Sequence, residues 1–169
     1  MTEVVVLADT HIRPGGRRRL PDAVYAALDG AGLVLHAGDV VCRELLDELA
    51  GFAPTLAVLG NNDTALLGSV PEERLLTVEG LRIGMVHDSG PTAGRERRLR
   101  RRFPTADVVV FGHSHIPVDA LGLDGQRLFN PGSPTDRRGQ PVHTYGRLRI
   151  DDGCLVEHQI VAVDGGAQT

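Results

Sequence analysis

The chain has 169 residues, enough for one domain that buries a core without disulfides or metal staples. A formal net charge of −4 provides no global basic field for nucleic acid, and 41% hydrophobic against 24% charged residues is an ordinary globular balance. The longest apolar runs, such as Val4 to Ala8 and Val108 to Phe111, are too short to span a bilayer.

The N-terminus opens directly on a strand pattern, with no basic leader or secretory apolar segment. Cys42 and Cys154 are isolated thiols outside any C-x-x-C, which fits a reducing compartment better than a disulfide scaffold. The expectation is a cytoplasmic protein with no membrane partner. All 18 basic residues are arginine, which reads as codon bias and not as a functional choice.

Thr2 to Ala8 is a short β-branched run, read as a buried strand. Pro21 opens a helix to about Asp29. Leu33 to His36 is a second strand, Val41 to Ala50 an amphipathic helix and Thr55 to Leu59 a third strand. This alternation predicts an α/β layered start. Leu75 to Val78 and Leu81 to Val86 then flank a hairpin turn at Glu79-Gly80. A helix over Thr92 to Phe103 and a buried strand over Asp107 to Phe111 follow. Further hairpins are expected at Asp124-Gly125 and at Asp151-Asp152-Gly153. The first half reads as parallel with helices and the second as strand-rich and partly antiparallel. Two sheets packed face to face with helices outside would bury both sets. Residues 1–163 are expected to form one domain, and 164–169 a frayed tail.

Seven polar residues stand where apolar runs end: Asp9, His11, Asp39, Asn61, His87, His113 and His115. Ligands for two cations must converge from several strands, because one strand end offers only one or two. Asp9 and His11 are two apart, as are His113 and His115, so each pair points one way if its strand persists. In open α/β sheets a site forms beyond the carboxyl ends of such strands. Gly38, Gly60 and Gly112 precede ligand positions and permit tight turns there. Mixed carboxylate and imidazole donors without cysteine favour Mn, Fe, Ni, Co or Zn over Mg or Ca, with Mn²⁺ heading the set. A carboxylate such as Asp39 can bridge two ions. Taken singly, Asp-x-His is a weak signal and Gly-Asp is mostly a turn. The joint pattern is what carries the reading.

The ordered set Asp9-x-His11, Gly38-Asp39, Gly60-Asn61, His87 and Gly112-His113-Ser114-His115, followed by Asn130-Pro131-Gly132-Ser133, resembles the calcineurin-like metallophosphoesterases. It is most similar to their small bacterial and archaeal phosphodiesterase branch, which includes the retromer subunit built on the same fold. The resemblance covers about Val4 to Ser133. It implies an α/β fold, a four-layer α/β/β/α sandwich of two mixed sheets flanked by helices. It also implies two divalent ions, one held by Asp9, His11, Asp39 and His115 and the other by Asp39, Asn61, His87 and His113. Asp39, Asn61, Asp63 and His87 would then serve catalysis. The implied reaction is attack of a metal-bridging hydroxide on a phosphate diester. A phosphomonoesterase and a non-catalytic metal-binding scaffold are the alternatives. The partner is a small phosphate-ester substrate, nucleic acid is disfavoured and homo-oligomerisation is open.

Two positions depart from the family pattern. Asn62 stands where many family phosphatases carry a histidine that protonates the leaving group, so Asp63 loses the partner it would orient. Asp88 follows His87 where glycine is usual, and it would ligate, orient a water or repel a substrate oxygen.

Other residues carry two readings each. His36 either orients the bridging carboxylate or packs at a strand end. The arginines of 95–102 read mainly as a solvated helix face, with Leu99 and Phe103 turned to the core. Arg17, Arg18 and Arg19 lie better placed to meet an anionic substrate. Asn130 and Ser133 either border the site or make a structural turn, and Arg137 and Arg138 are loop residues or substrate contacts. His143 and His158 are read as surface or packing residues.

Overall fold

The structure, a computed structural model, describes residues 1–163, so the tail expected over 164–169 lies outside the described residues. One sheet contains β1 (Thr2–Leu7), β2 (Leu33–His36), β3 (Thr55–Ala57), β9 (Thr144–Asp151) and β10 (Cys154–Ala162). Its order is β10-β9-β1-β2-β3. The other contains β4 (Glu73–Val78), β5 (Leu81–Val86), β6 (Val108–Val110), β7 (Val118–Leu121) and β8 (Arg127–Asn130), in the order β4-β5-β6-β8-β7. Helices α1 (Asp22–Leu28) and α2 (Arg43–Ala50) cover the first sheet, and α3 (Arg95–Arg102) covers the second.

The four layers follow from the two-residue period of the strands. In β1, Val5 and Leu7 join Val24, Leu28, Leu45 and Leu49 beneath α1 and α2. Val4 and Val6 face the other way, against Ile83, Met85 and Phe129 between the sheets. In β6, Val108 and Val110 enter that middle core, while Val109 packs with Leu99 and Phe103 under α3. Strands buried on both faces therefore read as continuous apolar runs. Each face commits about half of its side chains to a different layer.

Both sheets are mixed, as expected: the hairpin of β9 and β10 returns to the first sheet, with β9 antiparallel to β1 in the register Val5↔Arg147. Two helix starts need correction. Helix α2 starts at Arg43 and not at Val41, because Val41 has φ +82° and gives its N–H to the Asp63 carboxylate at 2.6 Å. Helix α3 starts at Arg95 and not at Thr92. Gly94 is left-handed there, and the Arg98 guanidinium turns back onto the Ser89, Pro91 and Ala93 carbonyls.

The hairpins at Glu79-Gly80 and Asp124-Gly125 are present, with positive φ at both residues of each pair. Cys42 is buried, Cys154 is exposed and both are free. No helix among the described residues is long and apolar enough to cross a membrane.

Candidate metal centre

Each of the seven donors follows the carboxyl end of a strand: β1 ends at Leu7, β2 at His36, β3 at Ala57, β5 at Val86 and β6 at Val110. The parallel strands β1, β2 and β3 thus meet β5 and β6 at one end of the sandwich. The strands do not continue into Asp9-x-His11 or His113-x-His115 as the spacing alone would have it. Asp9, His11, Asp39, His113 and His115 instead adopt left-handed backbone, with φ of 54°, 47°, 55°, 68° and 59°. Asp, Asn and His tolerate this region better than most residues. Each such turn still costs on the order of 1–3 kcal/mol, sustained only where surrounding bonds over-determine it. Here the turns hold one another: Asp9 N–H donates to Gly38 O at 2.9 Å, His11 N–H to Asp39 O at 3.0 Å and Gly112 N–H to His87 O at 2.9 Å.

The donors converge. His11 Nε2 lies 3.3 Å from His115 Nε2 and 3.5 Å from Asp39 Oδ2. His115 Nε2 lies 3.5 Å from Asp9 Oδ1. His87 Nε2 is 3.5 Å from Asp39 Oδ2 and 3.1 Å from Asn61 Oδ1, and that oxygen is 3.0 Å from His113 Nδ1. Two clusters have donor atoms within 4.8 Å of one another: Asp9, His11 and His115, and Asp9, Asp39 and His87. Asp9 therefore reaches toward both halves of the site, its Oδ1 3.9 Å from His87 Nε2.

Whether these residues suit divalent ions is tested by Asp9. It is completely buried, yet neither carboxylate oxygen has a hydrogen-bond partner. Burial, reinforced by the Asp39 charge and opposed by His87, pushes its pKa up to about 7. A buried carboxylate left bare in this way calls for a proton or a cation. Carboxylate, imidazole and amide donors together fit the borderline divalent ions.

The imidazoles are prepared for ligation from behind. His87 Nδ1–H donates to Ala37 O at 2.7 Å and His115 Nδ1–H to Asp136 O, which leaves both Nε2 lone pairs facing the centre. Burial holds the His11 and His115 pKa values below the ordinary one. Burial also opposes charge on His87, but the Asp39 and Asp9 carboxylates outweigh it and raise that pKa.

The residues around the donors fix their backbones. Asp63 is buried, and its oxygens accept N–H groups from Asp39 at 2.9 Å, Gly60 at 2.7 Å and Val41 at 2.6 Å. Its client is thus the backbone of two donor loops and not a histidine at position 62. Asn62 binds Asp39 twice, through its N–H to Oδ1 and its Nδ2 to Oδ2, both at 2.8 Å. Asn130 Nδ2 donates to Gly112 O at 3.0 Å, and Ser133 Oγ–H donates to Asp9 O at 2.8 Å. Both residues of that turn support donor loops without lining the centre.

His36 does not hold the Asp39 carboxylate. Its Nε2 meets Thr10 Oγ1 at 3.0 Å, and Thr10 donates to the Asp39 carbonyl at 3.4 Å. Thr135, whose Oγ–H donates to Thr10 O at 2.6 Å, escaped sequence reasoning together with Thr10 and the Asp136 carbonyl. Only the proximity of 135 and 136 to the Pro-Gly-Ser turn hints at them.

Two glycines are required by close approach. A Cβ at Gly60 would lie 2.2 Å from both the N and Oδ1 of Asp39, and one at Gly38, where φ is +93°, would lie 2.5 Å from His87 Nδ1.

Two clefts flank the centre. One, of about 510 Å³, runs past His87, His113, Leu67, Glu72, Asp88 and Arg102. Asp88 spends one oxygen on Gly90 N–H at 2.7 Å. The other, of about 390 Å³, opens beside His11. The α3 arginines are largely engaged elsewhere: Arg100 on Asp124 at 3.1 Å, Arg102 on Glu73 at 2.6 Å and Arg95 over the Phe111 ring. His158 pairs with Asp119 at 2.5 Å, far along the strands from the donors.

An α/β/β/α sandwich with a carboxylate and imidazole cage at the strand ends has the form of a metallophosphoesterase. The calcineurin-like phosphoesterase superfamily domain matches residues 2–153, and the chain belongs to that superfamily. A probable metallophosphoesterase of Methanothermobacter thermautotrophicus is 38% identical over 132 residues, covering 77% of this chain and 76% of that protein. The fold is shared with Vps29 of Entamoeba histolytica crystallised with Zn²⁺, at 21% identity, 96% and 99% coverage of the two chains and a TM-score of 0.74. It is shared too with an archaeal phosphodiesterase, at 19% identity, 95% and 99% coverage and a TM-score of 0.67.

Proposed function

We propose that this protein is a metal-dependent phosphodiesterase with a two-ion centre. The observation that carries the reading is the bare, buried Asp9 carboxylate beside Asp39, with imidazoles on either side. Asp9, His11, Asp39 and His115 would hold one ion, and Asp39, Asn61, His87 and His113 the other. Manganese heads the candidates, with Ni²⁺, Fe²⁺, Co²⁺ and Zn²⁺ compatible with the same donors. When bound, the ions would make a water nucleophilic at neutral pH by lowering its pKa and would offset charge on the phosphoryl oxygens.

The protein's own part is positional. The Ala37 and Asp136 carbonyls fix the tautomers of His87 and His115, and Asp63 and Asn62 hold Asp39. Nothing at position 62 donates a proton to a leaving alkoxide, so esters with acidic leaving groups are favoured. Diesters are favoured over monoesters on charge grounds. Glu72 and Asp88 line the cleft beside His87 and His113, and a dianionic monoester meets them less favourably than a singly charged diester. The archaeal phosphodiesterase neighbour agrees with this reading at the level of fold.

The test compares a bis-aryl phosphate with the matching aryl monophosphate, with added Mn²⁺, with chelator, and with Asp39→Asn. The expected result is metal-dependent diester hydrolysis that Asp39→Asn abolishes. Faster monoester hydrolysis would make the protein a phosphomonoesterase. Metal binding without hydrolysis of either ester would make it a scaffold.

A further inference from the structure

We propose, resting on the phosphodiesterase reading, that the substrate carries a second phosphate on one arm, and that this phosphate is held in the arginine-lined cleft beside His11. The cleft is lined by His11, Arg13, Gly16, Arg17, Arg18 and Asp136. Three guanidinium groups face a single carboxylate, and that carboxylate is already engaged, with Arg18 Nη1 3.4 Å from Asp136 Oδ2. Arg13 and Arg17 make no side-chain hydrogen bond or ion pair among the described residues. They stand on either side of a tight turn closed by Gly16 N–H on Arg13 O at 3.0 Å, with Gly15 left-handed at φ +70°. Exposed arginines are common; these two are set apart by where they stand and not by their charge alone.

Their position is tied to the centre in two ways. His11 forms one wall of the cleft while its Nε2 faces Asp39 at 3.5 Å, so an anion in the cleft is next to the donor set. Arg18 docks the loop on Asp136, whose carbonyl accepts the His115 Nδ1–H. The basic loop and a ligand histidine thus share one support. Arg138 is not among the residues lining this cleft; its Nη1 lies 3.4 Å from His113 O.

The cleft on the opposite side has the reverse character. Glu72 and Asp88 line it, its one cation Arg102 is committed to Glu73 at 2.6 Å, and Leu59 and Leu67 supply apolar surface. This polarity orients a bound diester. The phosphorylated arm lies over the arginines, where a planar guanidinium makes paired bonds to phosphate oxygens. The arm without further charge lies over Leu59 and Leu67.

The experiment uses the p-nitrophenyl ester of thymidine 5′-phosphate and the same ester carrying a 3′-phosphate, with Mn²⁺-loaded protein. Wild type is expected to favour the 3′-phosphorylated ester in kcat/KM by about tenfold, which is about 1.4 kcal/mol. Arg13→Glu/Arg17→Glu should bring that ratio to about one or below, while Arg101→Glu on the solvent face of α3 keeps it. The milder Arg13→Gln/Arg17→Gln pair, and loss of the wild-type preference at high salt, give the same reading should the double reversal not fold. In parallel, calorimetry compares binding of thymidine 3′,5′-bisphosphate and thymidine 5′-phosphate. A wild-type ratio near one, or a preference that survives both arginine changes, overturns the proposal. Absence of hydrolysis with an arginine-dependent preference for the bisphosphate would instead sink the phosphodiesterase reading and leave the anion site standing. Absence of both would sink the two together.

Discussion

The Asp63 carboxylate accepts the backbone N–H of Asp39 at 2.9 Å, and with its second oxygen the N–H of Val41. One buried side chain thereby pins both sides of the left-handed turn that presents Asp39, and through Gly60 the neighbouring donor loop as well. Asp63→Asn replaces one acceptor oxygen with an N–H₂ that faces N–H donors. Mn²⁺ affinity measured by calorimetry should fall by about 10- to 100-fold, the usual cost of losing support behind a ligand. Unchanged affinity would show that the turn holds its shape without the clamp.

Gly60→Ala should be far worse than its chemistry implies. The added methyl would sit 2.2 Å from Asp39 N, and backbone cannot yield as a flexible side chain does. The expected loss in urea unfolding is on the order of 3 kcal/mol, with metal binding lost too. Gly139→Ala, where nothing lies within 4 Å, should stay within about 0.5 kcal/mol of wild type. Equal stability of the two variants would contradict the packing of the Gly60 loop on Asp39.

Metal removal should expose the cost of ionising Asp9. Its folded pKa is raised to about 7 from 3.8, so the folded protein keeps a proton that the unfolded chain releases. With chelator present, the Asp9 contribution to stability is full below pH 3.8 and is lost as pH rises through about 7. Asp9→Asn removes that slope, and the difference between the two Tm profiles isolates it. Bound Mn²⁺ stabilises the ionised form, so the metal-induced rise in Tm should grow across the same window. Parallel profiles for wild type and Asp9→Asn would refute this.

His36 works with the opposite sign. Complete burial, with a further push from His87, lowers its pKa to about 3 from 6.5, so folding holds it neutral where the unfolded chain takes a proton. Its contribution is intact above pH 6.5 and is lost as pH falls toward 3. His36→Gln should flatten the acid limb of a Tm-against-pH curve. An acid limb just as steep in the variant would place the sensitivity elsewhere.

Strands such as β2, whose bounds match the apolar run Leu33 to His36, are written locally, because burial on both faces demands a continuous apolar segment. The donor residues are legible for a related reason: a charged or imidazole side chain directly after such a run stands at a strand end. The family resemblance then ordered them into two candidate ligand sets, and the matched domain over 2–153 agrees with the family. Asp63 marks the limit of this legibility. Its residue type was visible, but its partners Asp39 and Val41 are more than twenty positions away.

By itself the chain's one-dimensional pattern determined the periodicity of each layer, the hairpins and the residue types offered as candidate donors at the strand ends, all of which depend on near neighbours. Tertiary structure alone decided that β9 pairs with β1, that five donors turn left-handed, and that Asp9 lies buried without a partner. These depend on contacts between segments far apart in sequence. Hydrogen bonds from other loops offset the strain of each turn, and the burial that raises the Asp9 pKa exists only once both sheets have closed around it.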